Sequence, residues 1–149
     1  MTGWHILHRG QVSYEGVVIN VPPGWVPEPK SWKNTPAPAL IKLPVTVLSL
    51  HFLGRISLGP EYKVFQATPE NLQNWRQAAE SLYRADDYVI QGPTASHGGD
   101  DSYCIVALPH QQEANAFADC YIRQGAWRGS FLGRSSDVEM FLKTAREIH

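Results

Sequence analysis

The residues whose types invite chemistry gather in one short segment: Ser96, His97, Gly98, Gly99, Asp100 and Asp101, with His110 beyond the next strand. Imidazole nitrogens and carboxylate oxygens are ligands for a divalent ion, and the same pair can act as base and orienter in a hydrolysis. His97, Asp100 and Asp101 are therefore the candidates for a metal-dependent or hydrolytic site. A His-Gly-Gly-Asp-Asp run between two strands is also the ordinary composition of a solvated turn, where glycine supplies positive φ and aspartate caps the backbone. The solvated turn is the preferred reading, so no catalytic residue or metal ligand is assigned. His5 and His8, three apart, would point to opposite faces of a strand and make a poor ligand pair.

A nucleophile has no better support. Ser130 lies in Arg128-Gly129-Ser130-Phe131-Leu132-Gly133, which lacks the Gly-x-Ser-x-Gly spacing of a nucleophile elbow. Neither Gly10 nor Gly24 opens a Gly-x-Gly-x-x-Gly fingerprint, and there is no Walker-type loop. No cofactor is expected.

The aromatics carry the binding expectation. Of five tryptophans, Trp25 and Trp32 sit in a segment, residues 22–44, that holds seven of the eleven prolines. Large rings on a stiff loop anchor interfaces at low entropic cost, which makes Trp25 and Trp32 the partner-binding candidates. For Trp25 the competing reading, an indole capping the open end of the core, is the stronger of the two. Trp32 is the better surface anchor, while Trp75 and Trp127 belong to the core by default.

Charge and length narrow the function classes. Thirteen basic and fourteen acidic residues give a net charge of -1 with no basic window, so the footprint of a nucleic-acid binder is missing. No run is long and apolar enough to span a membrane, and Trp4, His5 and Arg9 break up the N-terminus where a signal peptide would be apolar. The expectation is a cytoplasmic protein, with residues 1–149 forming one domain. Cys104 shares a strand face with Val106 and Leu108, and Cys120 with Ala118 and Ile122. Two buried free thiols are expected, because a cytosolic setting argues against the disulfide that neighbouring strands would allow.

The elements that must position these residues follow from periodicity. Residues 11–14 and 17–21 read as strands, then residues 22–44 as a long irregular connection. Residues 39–43 and 45–52 are strand-like, the latter with Leu48, Leu50 and Phe52 inward, and residues 54–60 are turn-rich. Thr68 before Pro69 caps a helix that runs to Ala85, with Leu72, Trp75, Ala79 and Leu82 as its apolar stripe. Residues 88–91, 102–108, 117–124 and 126–133 alternate as strands, and Gly125 permits the turn between the last two. Ser136 and Glu139 have the spacing of a capping box, starting a helix over residues 137–148. Consecutive hairpins with two helices imply an α+β fold, an antiparallel sheet flanked by two main helices.

The order of elements, together with Tyr14-Glu15-Gly16-Val17-Val18-Ile19-Asn20-Val21-Pro22-Pro23-Gly24-Trp25 at the start and Gly125-Ala126-Trp127-Arg128-Gly129-Ser130-Phe131 at the end, resembles the PsbP-like fold of DcrB-type bacterial proteins. Val26 and Pro27 stand where that family often has an acidic residue. The resemblance implies an αβα sandwich and a family of chaperones, assembly factors and adaptors, mostly without catalysis, and carries no functional residue across. The function expected first is thus a non-catalytic module, an adaptor or chaperone for a protein or peptide, binding near residues 22–44. A metal-dependent or hydrolytic enzyme at His97–Asp101 ranks second, and a structural homodimer paired through a sheet edge third.

Overall fold

The structure, a computed structural model, describes residues 10–28, 38–42, 45–46, 51–95, 102–111 and 113–149. Its strands are β1 (Gln11–Tyr14), β2 (Val17–Asn20), β3 (Trp25–Pro27), β4 (Ala39–Lys42), β5 (Val45–Thr46), β6 (His51–Phe52), β7 (Gly54–Pro60), β8 (Tyr88–Ala95), β9 (Tyr103–Pro109), β10 (Ala116–Ile122) and β11 (Trp127–Gly133). Among the described residues two α-helices, α1 (Pro69–Leu82) and α2 (Val138–Arg146), accompany them, the second preceded by a 3-10 turn over Ser135–Asp137. Seven strands form one antiparallel sheet in the order β3-β4-β7-β11-β10-β9-β8, and β1 with β2 makes a separate hairpin. The protein is α+β, with a sheet flanked by helices.

One face of the sheet holds the main core. Leu40, Ile56, Leu58, Val106, Ala118, Ile122, Trp127 and Phe131 are buried there beneath Val138, Phe141, Ala145 and Ile148 of the C-terminal helix segment. Phe131 and Phe141 stack with centroids 5.5 Å apart. Gly129 lets that helix sit close, since a Cβ there would lie 2.9 Å from a Leu58 methyl and 3.5 Å from the Phe141 ring. The β1–β2 hairpin closes one end, burying Val17 and Ile19, while Tyr14 meets Trp127 edge to face. Backbone bonds between Val18 and His149 fasten the hairpin to the end of the described chain.

Several expectations are corrected. Residues 54–60 are not a turn but β7, a central strand between β4 and β11. Its alternating Ile56 and Leu58 were the signal. Gly54 serves close approach instead of a bend, because a Cβ there would lie 2.8 Å from the Trp25 ring. Val45 pairs antiparallel with Phe52 and Thr46 with His51, so the expected single strand over 45–52 is not formed. The expected inward Leu48 and Leu50 lie outside the described residues, as does the Phe52 side chain.

Cys104 and Cys120, directly opposite in the β9–β10 register, are joined in a disulfide and are not free thiols. The register sets their Cα atoms 4.1 Å apart inside the same core.

The first helix begins where expected, but its end and the start of the second helix differ. Thr68 caps α1 by accepting from the Asn71 N–H, with Pro69 in the first turn, but the helix stops at Leu82 because Tyr83 is already extended. Of its stripe Ala79 is buried, Leu72 and Trp75 are half-buried, and Leu82 is 71% exposed. The Ser136–Glu139 capping box is not made. Asp137, not Ser136, flanks α2, which puts Ser136 and Glu139 one position out of register. The Asp137 carboxylate accepts from Lys42 Nζ at 2.6 Å instead.

Candidate functional site

On the face of the sheet away from α2, β10 presents Phe117, Asp119 and Tyr121, the residues that alternate with its buried ones. Register places Ser130 opposite Asp119 and Arg128 opposite Tyr121. The Ser130 hydroxyl donates to Asp119 Oδ1 at 2.7 Å, and Arg128 donates to both carboxylate oxygens at 3.1 and 3.3 Å. The Arg128 guanidinium carbon also stands 5.2 Å from the Tyr121 ring centroid, a cation–π contact. Burial opposes its charge, yet the hydrogen bonds and field of Asp119 hold the Arg128 pKa above its ordinary value. It remains a fixed cation.

The segment 61–68 crosses the β10–β11 turn and delivers an aromatic ring to this face. Glu61 N–H donates to the Ala126 carbonyl at 2.8 Å and Phe65 N–H to the Gly125 carbonyl at 3.0 Å. Phe65 then stacks on Tyr121, with centroids 4.0 Å apart and planes 9° from parallel. Trp75 of α1 stands across both rings, at 73° to Tyr121 and 68° to Phe65. The three rings floor an open groove of about 510 Å³, with Glu61, Lys63 and Asn74 on its rim. Beside it Tyr62 is fully exposed and Val64 is 46% exposed.

Aromatic contacts also seat the other end of α1, where Tyr83 meets Phe117 and Tyr88 at 4.9 and 5.4 Å. The space beneath, about 10 Å³ and lined by Ala79, Tyr83 and Phe117 among others, admits no more than a water. Burial raises the pKa of Tyr83, with Asp119 and Tyr88 adding to it. Burial also raises that of Tyr121, partly offset by Arg128, with Glu61 and Asp119 pushing the same way as burial. Both phenols are therefore neutral hydrogen-bond donors at neutral pH, not nucleophiles.

The residues singled out from the sequence fall elsewhere. Trp25 is 1% exposed, packed over Gly54 in the core, so its indole presents no surface to a partner. Trp32, His97, Asp100 and Asp101 lie outside the described residues. His110 is exposed, with its ring 3.1 Å from the Ala85 carbonyl, and Ser130 is committed to Asp119. Among the described residues no group of three or more histidine, cysteine and acidic side chains is placed to hold a metal ion.

Sequence reasoning missed Phe65, Tyr121 and Arg128 and assigned Trp75 to the core. The available signal was in β10, whose outward positions carry two aromatic rings in three, an unusual composition for a face in water. What the arrangement can do is bind: it offers a wide aromatic floor, a fixed cation and neutral donors. No family model, no curated protein and no solved structure matches the chain.

Proposed function

We propose that the protein is a non-catalytic binding module, an adaptor or chaperone that holds a protein or peptide partner in the groove floored by Phe65, Trp75 and Tyr121. One observation carries this reading: three large rings meet at a half-exposed corner, and the loop that supplies one of them also exposes Tyr62 and Val64. Clustered aromatic surface of this kind concentrates binding energy when a partner removes it from water. The resemblance to PsbP-like proteins supports a role without catalysis, and the near-neutral charge supports a partner other than nucleic acid.

No helix among the described residues is long and apolar enough to cross a membrane. The cytoplasmic location inferred from the sequence is opposed by the Cys104–Cys120 bond, since disulfides persist chiefly in oxidising compartments.

The test is selection of a random peptide library displayed on phage against the purified protein, in parallel with Trp75→Ala. Enrichment of related peptides on the wild type, lost on a folded Trp75→Ala, is the expected result. No enrichment, or equal enrichment on both, would remove the groove as the site.

A further inference from the structure

We infer that α1 is a lid, which opens away from the sheet as a unit while the sheet and α2 stay folded, with Arg76 as its latch. The two helices are held very differently. Of the nine residues of α2, Val138, Phe141, Thr144 and Ala145 are buried, and Phe141 is wholly enclosed. Of the fourteen residues of α1 only Ala79 is buried. An element with little buried apolar surface opens at a lower free energy than the core does, because opening forfeits less hydrophobic stabilisation. The surface beneath α1 is nonetheless apolar. Ile105 and Ala107 are buried, and with Ile90 and Phe117 they line the small space under Ala79 and Tyr83. Opening of α1 therefore uncovers an apolar strip that runs across β8, β9 and β10.

What fastens α1 is a polar latch and a ring contact to either side of it. Arg76 Nη1 donates to the carbonyls of Ile90 and Gly92 at 3.0 and 2.8 Å, and its Nε donates to Glu80 Oε1, one turn along the same helix, at 2.5 Å. Trp75 meets Tyr121 and Tyr83 meets Phe117, each with centroids 4.9 Å apart. Both ends have room to bend. The chain before α1 is pinned as far as Phe65, whose N–H donates to the Gly125 carbonyl, and Gln66, Ala67 and Thr68 after it are exposed. Beyond α1, Arg84, Ala85, Asp86 and Asp87 are exposed until β8 pairs with β9 at Tyr88. A lifted helix of this length has no tertiary support and is marginal in water, so opening also melts it. It carries Trp75 away from Phe65 and Tyr121 as well. The consequence for binding rests on the groove reading above: a partner seated against Trp75 binds only the closed form, and so shifts the lid toward closure.

The experiment is native-state hydrogen exchange of the free, 15N-labelled protein. The α1 amides should exchange together, about a hundredfold or more faster than those of β10 and β11. Phe141→Leu weakens contacts that stay intact when α1 opens. It should speed exchange in β10 and β11 by about tenfold and leave α1 unchanged. Val138→Ala, a smaller change in the same helix, repeats the comparison in case Phe141→Leu does not fold. Arg76→Ala should speed exchange in α1 several-fold although alanine is the better helix former, and Arg76→Lys, which keeps the charge without the fork of donors, should do so less. Exchange of α1 at the rate of β10 and β11, acceleration of α1 along with them in Phe141→Leu and Val138→Ala, or no response of α1 to Arg76→Ala overturns the inference. No partner is present in this experiment, so it fails separately from the phage selection. Independent exchange of α1 without groove-dependent peptides keeps the lid and removes the groove as the site, whereas groove-dependent peptides with α1 exchanging only alongside the sheet keep the groove and remove the lid.

Discussion

Gly125 lies flat against the Phe65 backbone: a Cβ at position 125 would stand 2.1 Å from the Phe65 carbonyl oxygen, and the glycine itself has φ +84°. A turn residue and the loop that builds the groove are thus in direct contact. Gly125→Ala must move one of them and also strain its own backbone, at a cost of about 2 kcal/mol. Thermal unfolding followed by circular dichroism should show a drop of roughly 6 °C. The same variant should lose binding in the groove, since Phe65 is displaced from Tyr121.

The Cys104–Cys120 bond closes a loop with a sequence separation of 16, which in the chain-entropy account stabilises the fold by about 3 kcal/mol. Urea unfolding with reductant present should show that loss. The double variant Cys104→Ala, Cys120→Ala should be destabilised to a similar degree and insensitive to reductant. With Cys104 at 7% exposure and Cys120 at 0%, reduction of the bond, read by trapping the thiols that it releases, should be slow in the folded protein and fast once the chain is unfolded in the presence of reductant.

Arg76 covers the outward carbonyls of Ile90 and Gly92, two groups that the β8 edge would otherwise offer to another strand. Arg76→Ala should cost about 1 kcal/mol in global stability. Hydrogen exchange at the β8 amides should accelerate more than elsewhere in the sheet, and light scattering should show a greater tendency to associate.

The Tyr83 and Tyr121 phenols have pKa values raised above the ordinary 10.0, chiefly by burial. A raised pKa in the folded state means that the neutral form is favoured by folding. The associated stability is fully present below the unfolded value of about 10 and is lost as pH rises through the folded value. Ultraviolet titration of phenolate should therefore show a late component that diminishes in Tyr121→Phe and again in Tyr83→Phe. Unfolding free energy should begin to fall above pH ~10, less steeply in the double variant.

The alternating strands of residues 117–124 and 126–133, the Thr68-Pro69 helix start and the turn at Gly125 were all legible, because each is dictated by near neighbours in the chain. β7 was not, since Gly54 and Gly59 resemble turn residues until Trp25 is known to lie against the first. The capping box failed for a similar reason: Lys42, 95 residues away in sequence, holds Asp137 and helps fix where the chain turns into the helix. The groove stayed hidden because its rings come from a loop, a helix and a strand, at positions 65, 75 and 121. Only the odd composition of the outward face of β10 pointed to it. Trp25 drew attention for its proline-rich setting, yet Pro22-Pro23-Gly24 turns its ring inward.

The place of β11 in the sheet has a consequence for the order in which this chain assembles. It follows the six other strands of the sheet in sequence, yet among the described residues it lies between β7 and β10 and joins the β3-β4-β7 and β10-β9-β8 halves. Until residues 127–133 are available, each half waits with an unpaired flank, and neither can close against the other. Before that strand is in place the described strands can form only two incomplete sheets. Folding reaches its decisive step only when one late strand slides between them, which makes that interval the one in which a chaperone or a neighbouring chain has most opportunity to intervene.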